Sequence, residues 1–365
     1  MRWALIVVIA AGCYSPSIPT GAPCDKDHAC PRPLICASTT NTCEKTDIDA
    51  AVVDAEQPPD GFVPPIDSPP LVGCTPMGFD ICGDGLDQDC DGADEVCAVN
   101  DLAAGAIDVT MGGTMNADLN FARDNAPQRG CGNDGGRDLY YKVTLASPEV
   151  YYFDTFGSNF DMTVRVFPGK TCAAITATDI PACSDDACNS ANSQLALQLP
   201  AGTSCIVVDQ NQAATQGALT FRVVPGGHAG APLLTGPQTV TGDTCNSTDV
   251  FRACNEPNAK EDAWFFTVCP GTTAHLDAST CTDAANVHFD TVLYVRRTNV
   301  TSNFTIACED DSAACAMVRP DRADATPDLS VLDAVPVPGP GLFWLVLDGY
   351  DAGNCGGYQM DYNLH

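Results

Sequence analysis

Twenty-one cysteines in a chain of 365 residues set the terms on which this sequence can fold. A reduced cytosolic protein does not carry so many, and these sit in local clusters rather than in the paired spacings of zinc sites. The expectation is an exported chain whose thiols are oxidised. An odd count leaves one cysteine over. Cys13 is the candidate, because it ends an apolar run near the N-terminus and its removal leaves an even number.

That run begins after Met1-Arg2, extends from Trp3 to Ala11, and is followed by Gly12 and Cys13. A basic start, a short apolar stretch and small residues describe a secretory signal. The stretch is too short to span a bilayer, which takes about 20 apolar residues. Ala10-Ala11-Gly12-Cys13 resembles a bacterial lipobox, with Ala10 where that family usually has Leu. The resemblance implies a diacylglyceryl group on the Cys13 thiol and anchoring at an outer membrane or cell surface. Ordinary cleavage after Ala10-Ala11-Gly12, with secretion, is the alternative.

Acids outnumber bases 47 to 17, for a net charge of -30. This excludes nucleic acid as a partner, since phosphates must be neutralised by Lys and Arg. It equally disfavours a polybasic membrane contact and favours divalent cations.

The segments follow from composition. Residues 1–13 read as the signal peptide with its lipobox and 14–23 as a tether. Residues 24–44 form a small module with Cys24, Cys30, Cys36 and Cys43, whose two bridges leave three pairings open. It resembles the short cysteine knots near the start of myxobacterial surface lipoproteins and reads as a compact spacer. Residues 45–73 form a disordered Pro/Asp-rich linker that reaches on the order of 90 Å if extended. Residues 74–97 are rich in Asp and Cys.

Within that last segment Asp87, Asp89 and Asp91 alternate, Gly92 follows, and Asp94 and Glu95 come next. Carboxylates at the first, third and fifth loop positions, a glycine at the sixth and a backbone carbonyl at the seventh, here Ala93, are how an EF-hand supplies oxygens to calcium. The bidentate Glu of a full EF-hand is missing, and Asp94 or Glu95 would substitute for it. The segment resembles the metal-binding motif of MopE-type surface proteins. That family is associated with copper, but carboxylates suit hard cations, whereas copper prefers His, Cys or Met. Calcium of weak, extracellular-class affinity is the expectation, roughly 10⁻⁴–10⁻³ M; a solvated acidic spacer is the plain alternative.

From residue 98 the texture is mainly β. Short runs such as Leu139 to Leu145, Met162 to Phe167 and Gln194 to Leu199 alternate in hydrophobicity between turn-forming residues. The pattern then repeats. Asp138-Leu-Tyr-Tyr matches Asp262-Ala-Trp-Phe, Phe160-Asp matches Phe289-Asp, Ala182-Cys-Ser-Asp-Asp matches Ala307-Cys-Glu-Asp-Asp, and Cys205-Ile-Val-Val-Asp matches Trp344-Leu-Val-Leu-Asp. Two tandem β-sandwiches, 98–228 and 229–365, are expected, joined near Gly226 to Gly236. The order of motifs resembles the pre-peptidase C-terminal domain, which implies a jelly-roll-like sandwich of the kind appended to secreted enzymes and surface proteins. The cysteines depart from that family.

The two sandwiches hold five and seven cysteines. Either one bridge joins them or each keeps a thiol. The close pairs Cys183–Cys188 and Cys308–Cys315 flank acidic turns and are expected to close them. Asp185/Asp186 and Asp310/Asp311 in those turns read first as turn residues and second as metal ligands. Trp264, Trp344 and Tyr350 are candidate ligand contacts, with burial in the core as the default.

No HExxH, G-x-S-x-G or P-loop pattern is present. The expectation is a non-enzymatic surface lipoprotein with a calcium-stabilised stalk, tied to the membrane by its lipid and facing an unidentified extracellular protein or carbohydrate. A secreted hydrolase with an unrecognised carboxylate site and a copper-binding surface protein are the alternatives.

Overall fold

The computed structural model describes residues 34–37, 42–45, 81–127, 130–132, 135–211, 217–252, 254, 259–281, 289–298, 303–315 and 329–365. The chain divides into two units, Met1–Ile66 and Asp67–His365. In the first, β1 (Leu34–Ala37) and β2 (Thr42–Lys45) pair as an antiparallel hairpin with Cys36 opposite Cys43. Cys13, the tether and the Pro/Asp linker lie outside the described residues.

The second unit holds both sandwiches, and they are wound alike. The first runs β3 (Ile107–Asp108), β4 (Gly113–Asp118), β5 (Asp138–Leu145), β6 (Glu149–Asp154), β7 (Met162–Phe167), β8 (Ala182–Ser184), β9 (Gln194–Leu199), β10 (Gly202–Gln210) and β11 (Ala218–Pro225). Its sheets are ordered β3-β5-β10-β7-β8 and β4-β11-β6-β9. The second runs β12 (Ala231–Pro232), β13 (Gly236–Asp243), β14 (Asp262–Val268), β15 (Thr273–Ser279), β16 (Thr291–Thr298), β17 (Asn303–Asp310), β18 (Val331–Pro338), β19 (Gly341–Gly349) and β20 (Gly357–Leu364). Its sheets, β12-β14-β19-β16-β17 and β13-β20-β15-β18, repeat the same order. Strands that alternate between two facing sheets in this way make a jelly roll. The helical turns among the described residues are three-residue 3-10 segments.

Alternation builds each core. Leu139, Tyr141, Val143 and Leu145 of β5 point inward onto Phe153, Phe221 and Val223 of the facing sheet. Trp264, Phe266 and Val268 of β14 do the same against Leu276, Met360 and Tyr362.

The middle strands β10 and β19 are buried on both faces, so each five-stranded sheet needs a second cover. In the first sandwich the cover is local: Ala103 and Ala106, with Cys172 and Ile175, pack on Tyr140, Phe167 and Val207. In the second it is the other sandwich. Val150, Tyr152 and Val224 of the first pack against Phe265, Tyr294, Trp344 and Val346 of the second. The connecting glycines permit this contact. A Cβ at Gly230 would lie 2.4 Å from Cζ3 of Trp344, and one at Gly226 would lie 3.0 Å from its Cζ2.

The disulfides correct one expectation. Cys183 pairs with Cys131 and Cys308 with Cys254, at equivalent places in the two sandwiches, while Cys315 pairs with Cys281. Cys188 pairs with Cys269 and joins the sandwiches, with Cα atoms 5.5 Å apart. The local pairs Cys183–Cys188 and Cys308–Cys315 are therefore not formed. The reason is directional. Asp186, Cys188 and Asn189 have φ of 50°, 62° and 55°, a left-handed turn after β8, and it leaves the Cys188 Cα within 5.5 Å of that of Cys269. With Cys172–Cys205 and Cys245–Cys355, the five and seven cysteines are all accounted for, one bridge crossing between the domains.

Trp344 is fully buried in the contact between sandwiches. Trp344→Ala is expected to cost about 3–5 kcal/mol, as large-to-small core changes do. Urea unfolding of the oxidised protein measures it, and a cost below about 1 kcal/mol would mean that the two sandwiches do not rest on this ring.

Candidate cation sites

The Asp-rich loop lies at the base of the first sandwich. Cys82–Cys97 closes it, with Cα atoms 4.9 Å apart, and Cys90 is also oxidised. Carboxylate oxygens of Asp87, Asp89 and Asp91 lie within 4.8 Å of one another. The backbone makes this possible. Gly92 takes φ +107°, the left-handed region that the sharp turn requires, and a side chain there would be strained. Asp87 accepts the Asp91 and Gly92 N–H groups at 3.1 and 2.9 Å, and Asp91 accepts the Ala93 N–H at 3.0 Å.

Asp94 has another task. Its two oxygens accept the N–H groups of Gly83 and Gly85 at 2.9 and 2.8 Å, which ties the loop's neck. The Glu95 carbonyl accepts the Gly83 N–H at 2.8 Å in the same neck. Of the six candidate ligands, the structure brings three carboxylates together; Ala93 follows one residue beyond Gly92 and donates its N–H to Asp91, and Asp94 and Glu95 brace the loop. The donors that converge are all oxygen, a set that fits calcium or another hard cation rather than copper.

The acidic turns are larger than the sequence suggested. Asp161 joins Asp185 and Asp186 within 4.8 Å, and Asp290 joins Asp310 and Asp311 in the second sandwich. Asp161 and Asp290 are the residues after Phe160 and Phe289, so the repeated Phe-Asp pair was the available signal. Asn211 donates to Asp161 at 2.8 Å and Thr163 to Asp185 at 3.4 Å. Partial burial, then the charges of Asp186 and Asp161, push the Asp185 carboxyl up.

A buried acid clamps the loop before the second strand of each five-stranded sheet. Asp138 accepts the Asn125 and Ala126 N–H groups, each at 2.8 Å. Glu261 accepts those of Val250 and Phe251, each at 2.6 Å. The ladders confirm the equivalence: Asp138 stands opposite Asp209 across β5 and β10, and Glu261 precedes Asp262, which stands opposite Leu347, next to Asp348. Sequence matching had aligned Asp138 with Asp262, one residue further on. Of the candidate aromatics, Trp264 and Trp344 are core residues and Tyr350 is 45% exposed.

No family model matches the sequence, and no curated protein matches it. Among solved structures, a chain of the Sulfolobus turreted icosahedral virus is 11% identical with a TM-score of 0.18, over 63% of this chain and 56% of that one. The chain thus spans just over half the length of that neighbour. The CUB1-EGF-CUB2 region of human MASP-1/3 is 8% identical with a TM-score of 0.17, over 70% and 100% of the two chains. A plant receptor-like kinase, FER, is 10% identical with a TM-score of 0.17, over 62% and 81%. Likeness at this level carries no functional argument.

Burial above all, with neighbouring acids adding to it, pushes both Asp138 and Glu261 up to about 7. From about pH 4 to about pH 7 the folded chain keeps protons that the unfolded chain has released. These groups therefore make stability fall as pH rises through that window and level off above it. Glu261→Gln is expected to reduce the drop in urea stability between about pH 5 and about pH 7.5 by about 2 kcal/mol. Parallel pH profiles for wild type and variant would show that Glu261 ionises normally.

Proposed function

We propose that this chain is a non-enzymatic surface lipoprotein, exported by its leader, anchored through Cys13, and stabilised by calcium at the base of two β-sandwiches. Asp87, Asp89 and Asp91, with the carbonyl of Ala93, are the residues that would hold the ion. The sandwiches carry the binding or structural role toward an extracellular protein or carbohydrate.

The observation that carries the reading is the convergence of those three carboxylates within 4.8 Å in a loop already closed by a disulfide. Like charges so close repel unless a cation or proton offsets them. A bound calcium would supply that charge and rigidify the neck between Cys82 and Cys97. The disulfides support export, because such bonds persist in oxidising compartments. The resemblances of the leader to a lipobox and of the loop to the MopE-type motif support the anchor and the metal.

Calorimetric titration of calcium into oxidised, chelator-treated protein tests this, beside an Asp87→Ala/Asp89→Ala variant. One site in the roughly 10⁻⁴–10⁻³ M range, abolished by the double substitution, is expected. Further sites that survive the substitution would belong to the Asp161 and Asp290 clusters. Absence of heat and of any calcium-dependent rise in melting temperature would reduce the loop to a spacer.

A further inference from the structure

Two of the chain's five histidines meet on the outer face of the second sandwich. The ladder between β15 and β20 sets Leu276 opposite Leu364 and Asp277 opposite Asn363. One step further out stand His275 and His365, which exchange both backbone hydrogen bonds. The His275 N–H donates to the His365 carbonyl at 2.7 Å, and the His365 N–H to the His275 carbonyl at 3.0 Å. Leu276 and Leu364 are buried in the core, so strand alternation puts His275, Asp277, Asn363 and His365 on the solvent side. Both histidines are exposed, with ring centroids 5.8 Å apart and planes 26° apart.

The His365 ring is flanked at one nitrogen. Its Nδ1 lies 3.1 Å from Asn363 Nδ2 and 3.7 Å from Asp277 Oδ2. Asp277 is itself fixed, since its Oδ1 accepts the Ala334 N–H at 2.7 Å. A carboxylate or amide beside one ring nitrogen orients a histidine and leaves the other nitrogen to ligate, here Nε2. The His275 ring stacks on that of His365 and enters no hydrogen bond among the described residues.

We propose that His275 and His365 hold a divalent transition ion of the zinc or nickel kind between their rings, with Asp277 as the residue that positions His365. The spacing fits. Metal–nitrogen bonds of about 2.0–2.1 Å place the centroids of two rings that share an ion roughly 4.5–6.5 Å apart. Turning the rings to aim their nitrogens costs little, because the outer torsion of histidine is broad. Imidazole nitrogen selects zinc or nickel over calcium, which takes oxygen ligands. An anion is disfavoured, since Asp277, Asp333 and Asp361 line the same sheet face and the chain carries a net charge of -30. Two protein ligands leave the ion's other positions to water or to a donor from a partner. The site is separate from the Asp87 loop in place and in ligand chemistry, and it goes beyond the role proposed above.

The test uses oxidised full-length protein, nickel chloride as probe and excess calcium to occupy oxygen sites, read by calorimetry and by NMR of the imidazole Cε1–H signals. Nickel is expected to saturate one site and, being paramagnetic, to broaden two histidine signals first: the two that vanish in His275→Asn and in His365→Asn. Each of those variants is expected to weaken nickel at least about tenfold. Both side chains are exposed, so neither substitution opens the core. Asp277→Asn keeps an oxygen for the Ala334 N–H but removes the charge beside Nδ1, and it is expected to weaken nickel by about tenfold. Asp87→Ala/Asp89→Ala is expected to leave nickel affinity unchanged, whether or not that loop binds calcium. Absence of a nickel site in excess calcium, or a site that either histidine variant leaves at full affinity, would overturn the proposal. Unchanged affinity in Asp277→Asn would overturn the positioning role of Asp277.

Discussion

The outer face of the second five-stranded sheet must be covered, and the first sandwich is what covers it. Phe265, Tyr294, Trp344 and Val346 make that face too apolar to meet water. Much else follows from this demand. The connector must be glycine where the Trp344 ring passes, at Gly226 and Gly230. The odd cysteines must bridge across, which Cys188–Cys269 does, and Gln194 reinforces it by donating to the Val268 carbonyl at 3.0 Å. The two domains thus share a core, a covalent bond and a hydrogen bond, more than the polar contacts that leave linked domains free to move.

Duplication also explains why the second sandwich carries a phenol where the first carries a guanidinium. Its outer sheet face became an interface. Tyr294 stands opposite Val346 on β19 as Arg165 stands opposite Val207 on β10, and it is fully buried in that interface. A guanidinium there would have to be desolvated against Tyr152 and Val150, at a cost that a phenol avoids. Tyr294 instead donates its hydroxyl to Asp348 at 3.1 Å, where Arg165 donates its guanidinium to Asp209.

The sequence made the fold legible where side chains alternate. Met162 to Phe167 and Gln194 to Leu199 match β7 and β9 to the residue, because strand period and turn residues are local signals. The tandem repeat was legible for the same reason. Register was not. Matching Asp138 to Asp262 satisfied the letters, but the ladder aligns Glu261, since cross-strand partners decide which acid meets the loop amides. Disulfide pairing also escaped, because it depends on where Cys131 and Cys269 lie in space. In the Asp loop the alternation of Asp87, Asp89 and Asp91 was readable as a cluster, whereas the bracing role of Asp94 required the neck at Gly83 and Gly85. The parity of the cysteine count needed no geometry, which is why a cross-link between the domains was one of two readings open from the start.

The two outer sheet faces left by the duplication differ in character. If the contact between sandwiches could be repeated, a third copy, or a second chain, would dock on the matching face of the second sandwich and the stack would extend. The ladders give that face a different character. Where the first sandwich presents Val150, Tyr152 and Val224, the second presents His275, Asp277 and Asn363. Asp333 and Asp361 line the same face. Docking an apolar sheet there would strip water from carboxylates and leave them unpaired. Repeat proteins end their stacks with a polar outer surface of this kind. One end of the pair therefore meets water with polar side chains, while at the other the outer face of the first sheet is covered by its own residues, among them Ala103 and Ala106.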